Sequence, residues 1–419
     1  MGQQDKAAVG ERSSELAPSE HAAAAYRVAR ERSGLALCLS GGGFRAALFH
    51  LGALRRLNEL GILSKVTTIS SVSGGSILSA HLATTLNPWP PPGDIVDDWK
   101  ERVEDRFCEF AGHNLRTGAI LKRLLPWNWM RTSTAVTELM RRYERDLTKL
   151  KLIDLPDRPE FVLSATDMAF GVNWVFEKER VGNYQIGYLT PPPSEWLLAR
   201  AVAASSCFPP VFNPMPVNAE YDVYKRGKAP VEKRKNAAKG LRLTDGGVYD
   251  NLGLEPVWKS HETVLVSDGG ATFDPEPDKG LSRRLKRYTD IVGNQVSALR
   301  KRWLISNFLS GQLIGTYWGI GSLVENYDLL GHPGYPPDLV ENLIAEVRTD
   351  LDAFSEAEIK VLVNQGYLLA DAAVDRHQPQ LISVSPKPRL EIPYVEWMGE
   401  GKVREALKNS HKRKLLGRR

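Results

Sequence analysis

The chain has 419 residues, of which 42% are hydrophobic and 25% are charged, and its formal net charge is +5. A chain of this length and composition can bury a large core, as one elaborated α/β domain or as two. Its three cysteines, Cys38, Cys108 and Cys207, are too few for a disulfide framework and fit a reducing compartment. No His/Cys spacing is typical of zinc and no acidic loop is typical of calcium, so we expect no cofactor.

The first 32 residues are polar and alanine-rich, with acidic residues throughout. They lack the apolar core of a signal peptide, and Lys6 stands where a myristoylation pattern needs Ser or Thr. We therefore expect a polar N-terminal extension over residues 1–32 and a cytoplasmic protein.

The first predicted strand, Leu35 to Leu39, runs into a glycine-rich turn and then a helix. After the turn, apolar residues recur every three or four positions, which predicts an amphipathic helix that Gly61 ends. Consecutive backbone N–H groups in such a turn can hold a developing negative charge, so Gly41, Gly42 and Gly43 are candidate oxyanion-hole residues. The triplet alone would favour a packing role.

Arg45 lies two residues after the last of these glycines and is a candidate supporting residue. It can either bond backbone carbonyls and so orient the turn, or contact a lipid phosphate. Its fixed position relative to the turn favours the first role.

A second predicted strand, Val66 to Ile69, leads into Ser71-Val72-Ser73-Gly74-Gly75 and a further helix. A sharp strand-to-helix bend lifts a serine hydroxyl out of the backbone and puts it near the positive end of the helix dipole. Ser73 is therefore the candidate nucleophile, although the same string alone is common in loops.

Asp245 ends an alternating apolar segment and precedes two glycines. A carboxylate at this strand end can project into the same site as Ser73 and accept its proton, which requires no histidine. Two alternatives remain: Asp245 can cap a turn, and Asp268, which also ends an apolar strand before glycines, is a rival base.

We expect Asp167, at the end of another strand, to cap a turn.

Four blocks in this order resemble the patatin-like phospholipase family: the glycine turn with Arg45, the Ser73 bend, the segment 203–212 and Asp245-Gly246-Gly247. The resemblance spans roughly residues 33–270. It implies an α/β fold of three layers, α/β/α, with a largely parallel central sheet. It also implies that Ser73 is the nucleophile, Asp245 its base and Gly41, Gly42 and Gly43 the oxyanion hole. The chain departs from the family at Ser71, where the bend usually has Gly, and at Ser40, where Asp often stands.

The resemblance further implies a lipid acyl hydrolase of the phospholipase A or lysophospholipase kind, acting on a phospholipid or another acyl-ester lipid. A carboxylesterase with a Ser-His-Asp triad stays open and would need a late histidine such as His332 or His377 near Ser73. A non-catalytic regulator that binds lipid or nucleotide also stays open. His50 and His81 lie within predicted helices and are expected to be structural. No nucleic-acid partner is expected, and the oligomeric state is open.

The predicted catalytic domain covers 33–395 and contains a basic insertion at 225–242, and a basic tail covers 396–419. The insertion and the tail can each contact anionic lipid headgroups, or they can lie in solvent.

Trp127 and Trp129 suit a membrane interface or an acyl-chain groove, with core packing as the default. The segment from Trp303 to Leu323 is the most apolar long stretch. Its polar and glycine residues argue against a membrane span and favour a buried or interfacial helix.

Overall fold

The computed structural model describes residues 31–124, 133–270, 273, 280–329 and 331–412. Three sequence interpretations concern residues outside these ranges. They are those of Trp127 and Trp129, of residues 413–419 of the basic tail and of residues 1–30 of the N-terminal extension.

In the described residues, ten strands form one mixed sheet. They are β1 (Leu35–Leu39), β2 (Thr68–Val72), β3 (Glu160–Asp167), β4 (Val172–Phe176), β5 (Val181–Asn183), β6 (Gly187–Leu189), β7 (Met215–Pro216), β8 (Arg242–Asp245), β9 (Thr263–Asp268) and β10 (Ile314–Gly319). Their order is β10-β9-β1-β2-β3-β4-β5-β6, and the first five of these are parallel. The strands β4 to β6 are antiparallel, and β8 pairs antiparallel with both β3 and β7.

The α-helices of the described residues surround this sheet. They are α1 (Gly43–Glu59), α2 (Gly74–Thr85), α3 (Asp105–Ala111), α4 (Arg116–Leu124), α5 (Thr134–Asp146), α6 (Leu198–Ser205), α7 (Val231–Ala238), α8 (Gly247–Asp250), α9 (Leu281–Leu309), α10 (Pro337–Leu339), α11 (Glu356–His377) and α12 (Glu400–Leu407). Two π-helical turns, Lys100–Glu104 and Val340–Ile344, adjoin α3 and α10.

Both faces of the sheet are covered, as the side chains of β1 show. Successive side chains of a strand point to opposite faces. Leu37 and Leu39 belong to the large core cluster that includes α1 and α11, whereas Ala36 and Cys38 belong to a second cluster with Leu304 of α9. The predicted three-layer α/β/α fold with a largely parallel central sheet is therefore confirmed.

The helices α1 and α11 pack closely because each has a glycine at their contact. A Cβ atom added to Gly52 would lie 1.8 Å from the Val363 carbonyl oxygen, and one added to Gly366 would lie 1.8 Å from the Phe49 carbonyl oxygen. Real side chains cannot occupy such distances, so glycine is required at both positions.

The expectation of one helix across Trp303 to Leu323 is wrong. Helix α9 ends at Leu309, Gly311 turns the chain with φ 68°, and Ile314–Gly319 forms β10 beside β9. The β-branched and aromatic residues of β10 favour an extended strand over a helix. Across the described ranges, no helix has both the length and the apolar character needed to cross a membrane.

The predicted insertion and tail both contain a helix. Helix α7 lies in the insertion and has no buried residue. Helix α12 lies in the predicted tail, yet its Val403 and Leu407 are buried in the large core cluster. Residues 400–407 therefore pack on the folded body, and the domain boundaries themselves stay predictions.

Candidate active site

Ser73 lies in a sharp bend between β2 and α2, with φ 49° and ψ −112°. A positive φ is uncommon for a residue with a side chain. It costs on the order of 1–3 kcal/mol, and it persists only where contacts with the surrounding structure offset that cost. The N–H of Ser73 is held by the Ser205 hydroxyl at 2.9 Å. Ser73 is only 8% exposed, so the residue is nearly buried.

The glycine turn lies directly against this bend. Gly42 and Gly43 have φ angles of 147° and 59°, which residues with side chains rarely adopt. A Cβ atom added to Gly41 would lie 3.1 Å from Cβ of Ser73, and one added to Gly74 would lie 2.1 Å from the Gly43 carbonyl oxygen. The two turns that the sequence singled out are therefore in contact.

The N–H groups of this turn differ in their availability. Gly41 donates its N–H to the Asn251 carbonyl at 3.0 Å, so this donor is already used. In the described part of the chain, the N–H groups of Gly42, Gly43 and Gly74 have no protein acceptor. They lie at the amino termini of α1 and α2, where N–H groups lack intrahelical partners and attract anions.

Arg45 is 2% exposed and acts on the backbone behind the turn. Its guanidinium donates to the carbonyls of Gly269, Ala345 and Val347 at 2.8 to 3.2 Å. The Gly269 carbonyl oxygen would lie 2.6 Å from a Cβ atom added to Gly42. Arg45 thus holds the segment that packs on the turn, and its burial favours the structural role over contact with a lipid phosphate.

Asp245 is 2% exposed and lies at the end of β8, opposite Ala165 of β3. Burial raises the pKa of its carboxyl group to about 7, against the opposing effect of hydrogen bonds from the Gly247 N–H and the Ser73 side chain. The Gly247 bond to Oδ1 is 2.8 Å long, whereas Oδ2 has no partner at ordinary hydrogen-bond geometry. The Ser73 contact is therefore close enough to affect the pKa but longer or less aligned than a normal bond, as is common in unliganded sites.

The rival carboxylate, Asp268, is engaged elsewhere. It accepts from Lys301 at 2.5 Å, from the Tyr317 hydroxyl at 2.8 Å and from the Gly270 N–H at 2.8 Å. Burial alone would raise its pKa, but the charge and hydrogen bond of Lys301 outweigh burial and hold the pKa below its ordinary value. A carboxylate stabilised in its ionised form is a weak base.

Asp167 caps the turn after β3, as its position suggested. Its carboxylate accepts from the Ala169 N–H and the Asn183 side chain, both at 2.7 Å.

Among the described residues, no histidine hydrogen-bonds Ser73 or Asp245. The two ring nitrogens of His50 contact the Ser267 hydroxyl and the Ser40 carbonyl, and burial lowers its pKa to about 4. His81 contacts the Val103 carbonyl, and burial likewise lowers its pKa to about 4. His332 contacts Asp371 at 2.7 Å, and the ring of His377 packs on Tyr327.

Sequence reasoning missed Ser205, which connects three parts of the site. Its hydroxyl accepts the Ser73 N–H, donates to the Ser164 carbonyl at 2.6 Å and contacts the Ser76 hydroxyl at 2.9 Å. Its own carbonyl accepts the Gly246 N–H at 3.2 Å. The Ser76 hydroxyl in turn donates to Ser71, the residue that replaces the usual glycine. Two sequence signals pointed to this network: the hydroxyl at position 71, and the segment 203–212, which contains Ser205.

Asn251 is a second residue that sequence reasoning missed. Its side chain lies between the glycine turn and the Asp245 turn, because a Cβ atom added to Gly41 or to Gly247 would lie 2.4 or 2.6 Å from its Oδ1. Nothing in the sequence distinguishes it from an ordinary polar residue at the end of a short helix.

Residues 37–258 match the model of a protein family described as patatin-like phospholipase. No curated protein sequence matches the chain. Two solved structures of human GIVD cytosolic phospholipase A2 are similar at 14% identity. For the structure in complex with methyl gamma-linolenyl fluorophosphonate, the match covers 84% of this chain and 58% of the human chain, with a TM-score of 0.44. For the other structure, it covers 59% of this chain and 49% of the human chain, with a TM-score of 0.38. VipD from Legionella pneumophila is 15% identical, covering 83% of this chain and 67% of its own, with a TM-score of 0.36. The chain thus spans about half the length of the human structures.

Proposed function

Because the chain belongs to the patatin-like phospholipase family, we propose that it is a lipid acyl hydrolase with Ser73 as nucleophile and Asp245 as general base. One observation carries the proposal: a buried carboxyl group with a pKa raised to about 7 contacts a serine side chain at a strained strand-to-helix bend. Perturbed pKa values of this kind cluster at functional sites. A carboxylate with an ordinary pKa would be a poorer base for a hydroxyl at neutral pH.

The reaction begins when Oγ of Ser73 attacks the acyl carbonyl carbon and its proton passes to the Asp245 carboxylate. The oxyanion of the tetrahedral intermediate accepts hydrogen bonds from the N–H groups of Gly42 and Gly43, with Gly74 as a further donor. The intermediate collapses to an acyl-Ser73 ester, and the proton on Asp245 leaves with the alcohol. A water molecule then gives a proton to Asp245 and attacks the ester. The bond between the acyl carbon and Oγ breaks, Asp245 returns the proton to Oγ of Ser73, and the fatty acid is released.

Gly41 has a different part in this proposal. Since its N–H is donated to Asn251, it serves the close packing of the glycine turn on Ser73 and Asn251. Within the glycine turn, the oxyanion hole then comprises Gly42 and Gly43 rather than all three glycines, and Gly74 is the further donor. Arg45 supports the turn through the carbonyl of Gly269.

The substrate that we propose is a phospholipid or another acyl-ester lipid, and the protein acts in the cytoplasm with peripheral contact to an anionic membrane. The catalytic unit covers 33–395. The triad alternative lacks support because no described histidine contacts Ser73 or Asp245. A purely regulatory role is disfavoured because the nucleophile and base candidates are both present and in contact.

The test is the release of fatty acid from phosphatidylcholine vesicles and from a soluble short-chain ester, measured by mass spectrometry. The parent protein should hydrolyse at least one of them, and Ser73→Ala should lose about a thousandfold or more of that activity. Ser33→Ala, which changes an exposed serine, is the control and should match the parent. Equal release by the Ser73→Ala protein would reject the proposal.

A further inference from the structure

Helix α9 is strongly basic. Its 29 residues contain one acidic residue, Asp290, and seven basic ones: Arg283, Arg284, Lys286, Arg287, Arg300, Lys301 and Arg302. A basic amphipathic helix is typical of a segment that lies on a membrane surface.

The same helix has an exposed apolar face. Tyr288, Val292, Val296, Leu299 and Trp303 follow one another at intervals of three or four residues, and they are 59%, 63%, 38%, 59% and 37% exposed. This spacing puts them on one side of a helix, and we call them the α9 stripe. Leu304, which is fully buried, faces the sheet on the other side. The stripe extends over about 22 Å of helix, at 1.5 Å per residue.

The helix is anchored beside the proposed catalytic site. Arg300 donates to the Tyr249 carbonyl at 3.3 Å, and Lys301 pairs with Asp268 at 2.5 Å. Tyr249 lies in α8, directly after the Asp245 turn. The neighbouring Val248 is 50% exposed, so the segment that follows the Asp245 turn also presents an apolar side chain to its surroundings.

We propose that the α9 stripe, together with the exposed Arg302 beside it, forms the surface by which this protein lies on an anionic phospholipid bilayer. The apolar side chains would enter the boundary between headgroups and acyl chains, where Trp303 suits the interfacial environment. Arg302 is exposed beside the stripe and would contact anionic headgroups. This surface would bring the Asp245 turn to the lipid.

A bilayer explains this surface better than a second copy of the chain. Two α9 helices packed through their stripes would bring together two strongly basic segments, and like charges oppose such an interface. An anionic bilayer satisfies both the charge and the apolar stripe. The bilayer's role as the source of substrate rests on the proposed function, whereas binding to it does not.

Binding is therefore measured in the Ser73→Ala protein, so that hydrolysis plays no part. The probe is co-sedimentation with vesicles of phosphatidylcholine and phosphatidylserine at 3:1, compared with phosphatidylcholine alone. Val292→Ser with Leu299→Gln should weaken binding to the anionic vesicles about tenfold, because both side chains are exposed and lose apolar contact with the bilayer. Arg302→Gln should weaken it about fivefold and reduce the preference for phosphatidylserine.

Val395→Gln is the matched control, since Val395 is 69% exposed and lies outside α9. It should bind like the parent, and all variants should keep the parent's melting temperature. In an otherwise unaltered protein, the Val292→Ser, Leu299→Gln pair should hydrolyse a soluble short-chain ester normally. Unchanged vesicle binding by that pair would overturn the proposal. A dimer that the pair converts to monomer, with vesicle binding unchanged, would assign the stripe to a second copy instead.

Discussion

Asp245 lies close to Ser73 because the strands that lead to these two residues, β8 and β2, meet end to end along one edge of β3. Val72, the residue before Ser73, pairs with Ser164, and Asp245 pairs with the next residue, Ala165. The other edge of β3 is occupied at both positions by β4. Since a strand has only two edges, β2 and β8 share the remaining one, and the antiparallel β8 ends where β2 ends.

This arrangement explains how the proposed base can be a single aspartate without a histidine between it and the serine. The strand ends bring the two side chains together directly, and Ser73 and Asp245 are both buried. Burial then raises the pKa of Asp245 to about 7, where a carboxylate is a competent base.

The first prediction separates the two candidate carboxylates. Asp245→Asn should lower kcat for a soluble ester by about a thousandfold or more, and the double variant with Ser73→Ala should be no worse than either single one, because the pair acts as a unit. Asp268→Asn should keep most of the activity of the correctly folded protein, since Asp268 is bound to Lys301. The reverse result, with Asp268→Asn inactive and Asp245→Asn active, would transfer the role of base to Asp268.

The second prediction concerns pH. Only the ionised carboxylate accepts a proton, so kcat/KM, which reports the pKa of the free enzyme, should rise with pH and reach half its maximum near pH 7. A flat profile between pH 5 and 8 would contradict the assigned base.

Stability should change in the opposite direction. The pKa of Asp245 is higher in the folded than in the unfolded chain, so its ionisation makes the free energy of unfolding fall between about pH 4 and pH 7, by up to about 4 kcal/mol. Asp245→Asn removes this loss. The variant should therefore be more stable than the parent at pH 8, with a smaller advantage at pH 5, as urea unfolding would measure.

The third prediction assigns Ser205 as a positioning residue. Ser205→Ala removes the acceptor of the Ser73 N–H and should lower kcat about tenfold or more while leaving KM unchanged, and Ser205→Thr should recover most of the loss. The matched control is Ser206→Ala. Its hydroxyl is also buried but contacts Val202 and Tyr143, so it should lower stability by about 1–3 kcal/mol and spare kcat. If both variants lower kcat equally, the effect of Ser205 is general destabilisation.

The fourth prediction tests the triad alternative. His332→Gln and His377→Gln should each retain at least about a third of the activity, whereas loss of a triad histidine costs several orders of magnitude. His81→Gln should also retain at least about a third of the activity, measured per folded molecule. A collapse of activity at any one of them in a folded protein would favour a triad.

Local sequence patterns predicted the parts of the site that lie within single strand-turn-helix units. The glycine turn, the Ser73 bend and the end of β8 all occur where alternating or helical periodicity stops at small residues. The end-to-end approach of β2 and β8 could not be predicted, because it depends on which edge of β3 a distant strand joins. Likewise, the N–H of Gly41 is used by Asn251, a contact between residues 210 positions apart.

The apolar content of Trp303 to Leu323 was misleading for a related reason. Hydrophobicity alone does not distinguish a helix from a buried strand. Gly311, with its left-handed φ, splits the segment into the end of α9 and the strand β10, whose place is decided by pairing with β9.

The central claim is that Ser73 is the nucleophile, and covalent labelling tests it most directly. A long-chain alkyl fluorophosphonate should react when Oγ of Ser73 displaces fluoride from phosphorus, and peptide mass spectrometry should find a single adduct on the peptide that contains Ser73. Asp245→Asn should slow labelling about a hundredfold or more, because the hydroxyl loses its base. An adduct on another serine, or labelling that persists in Ser73→Ala, would contradict the account.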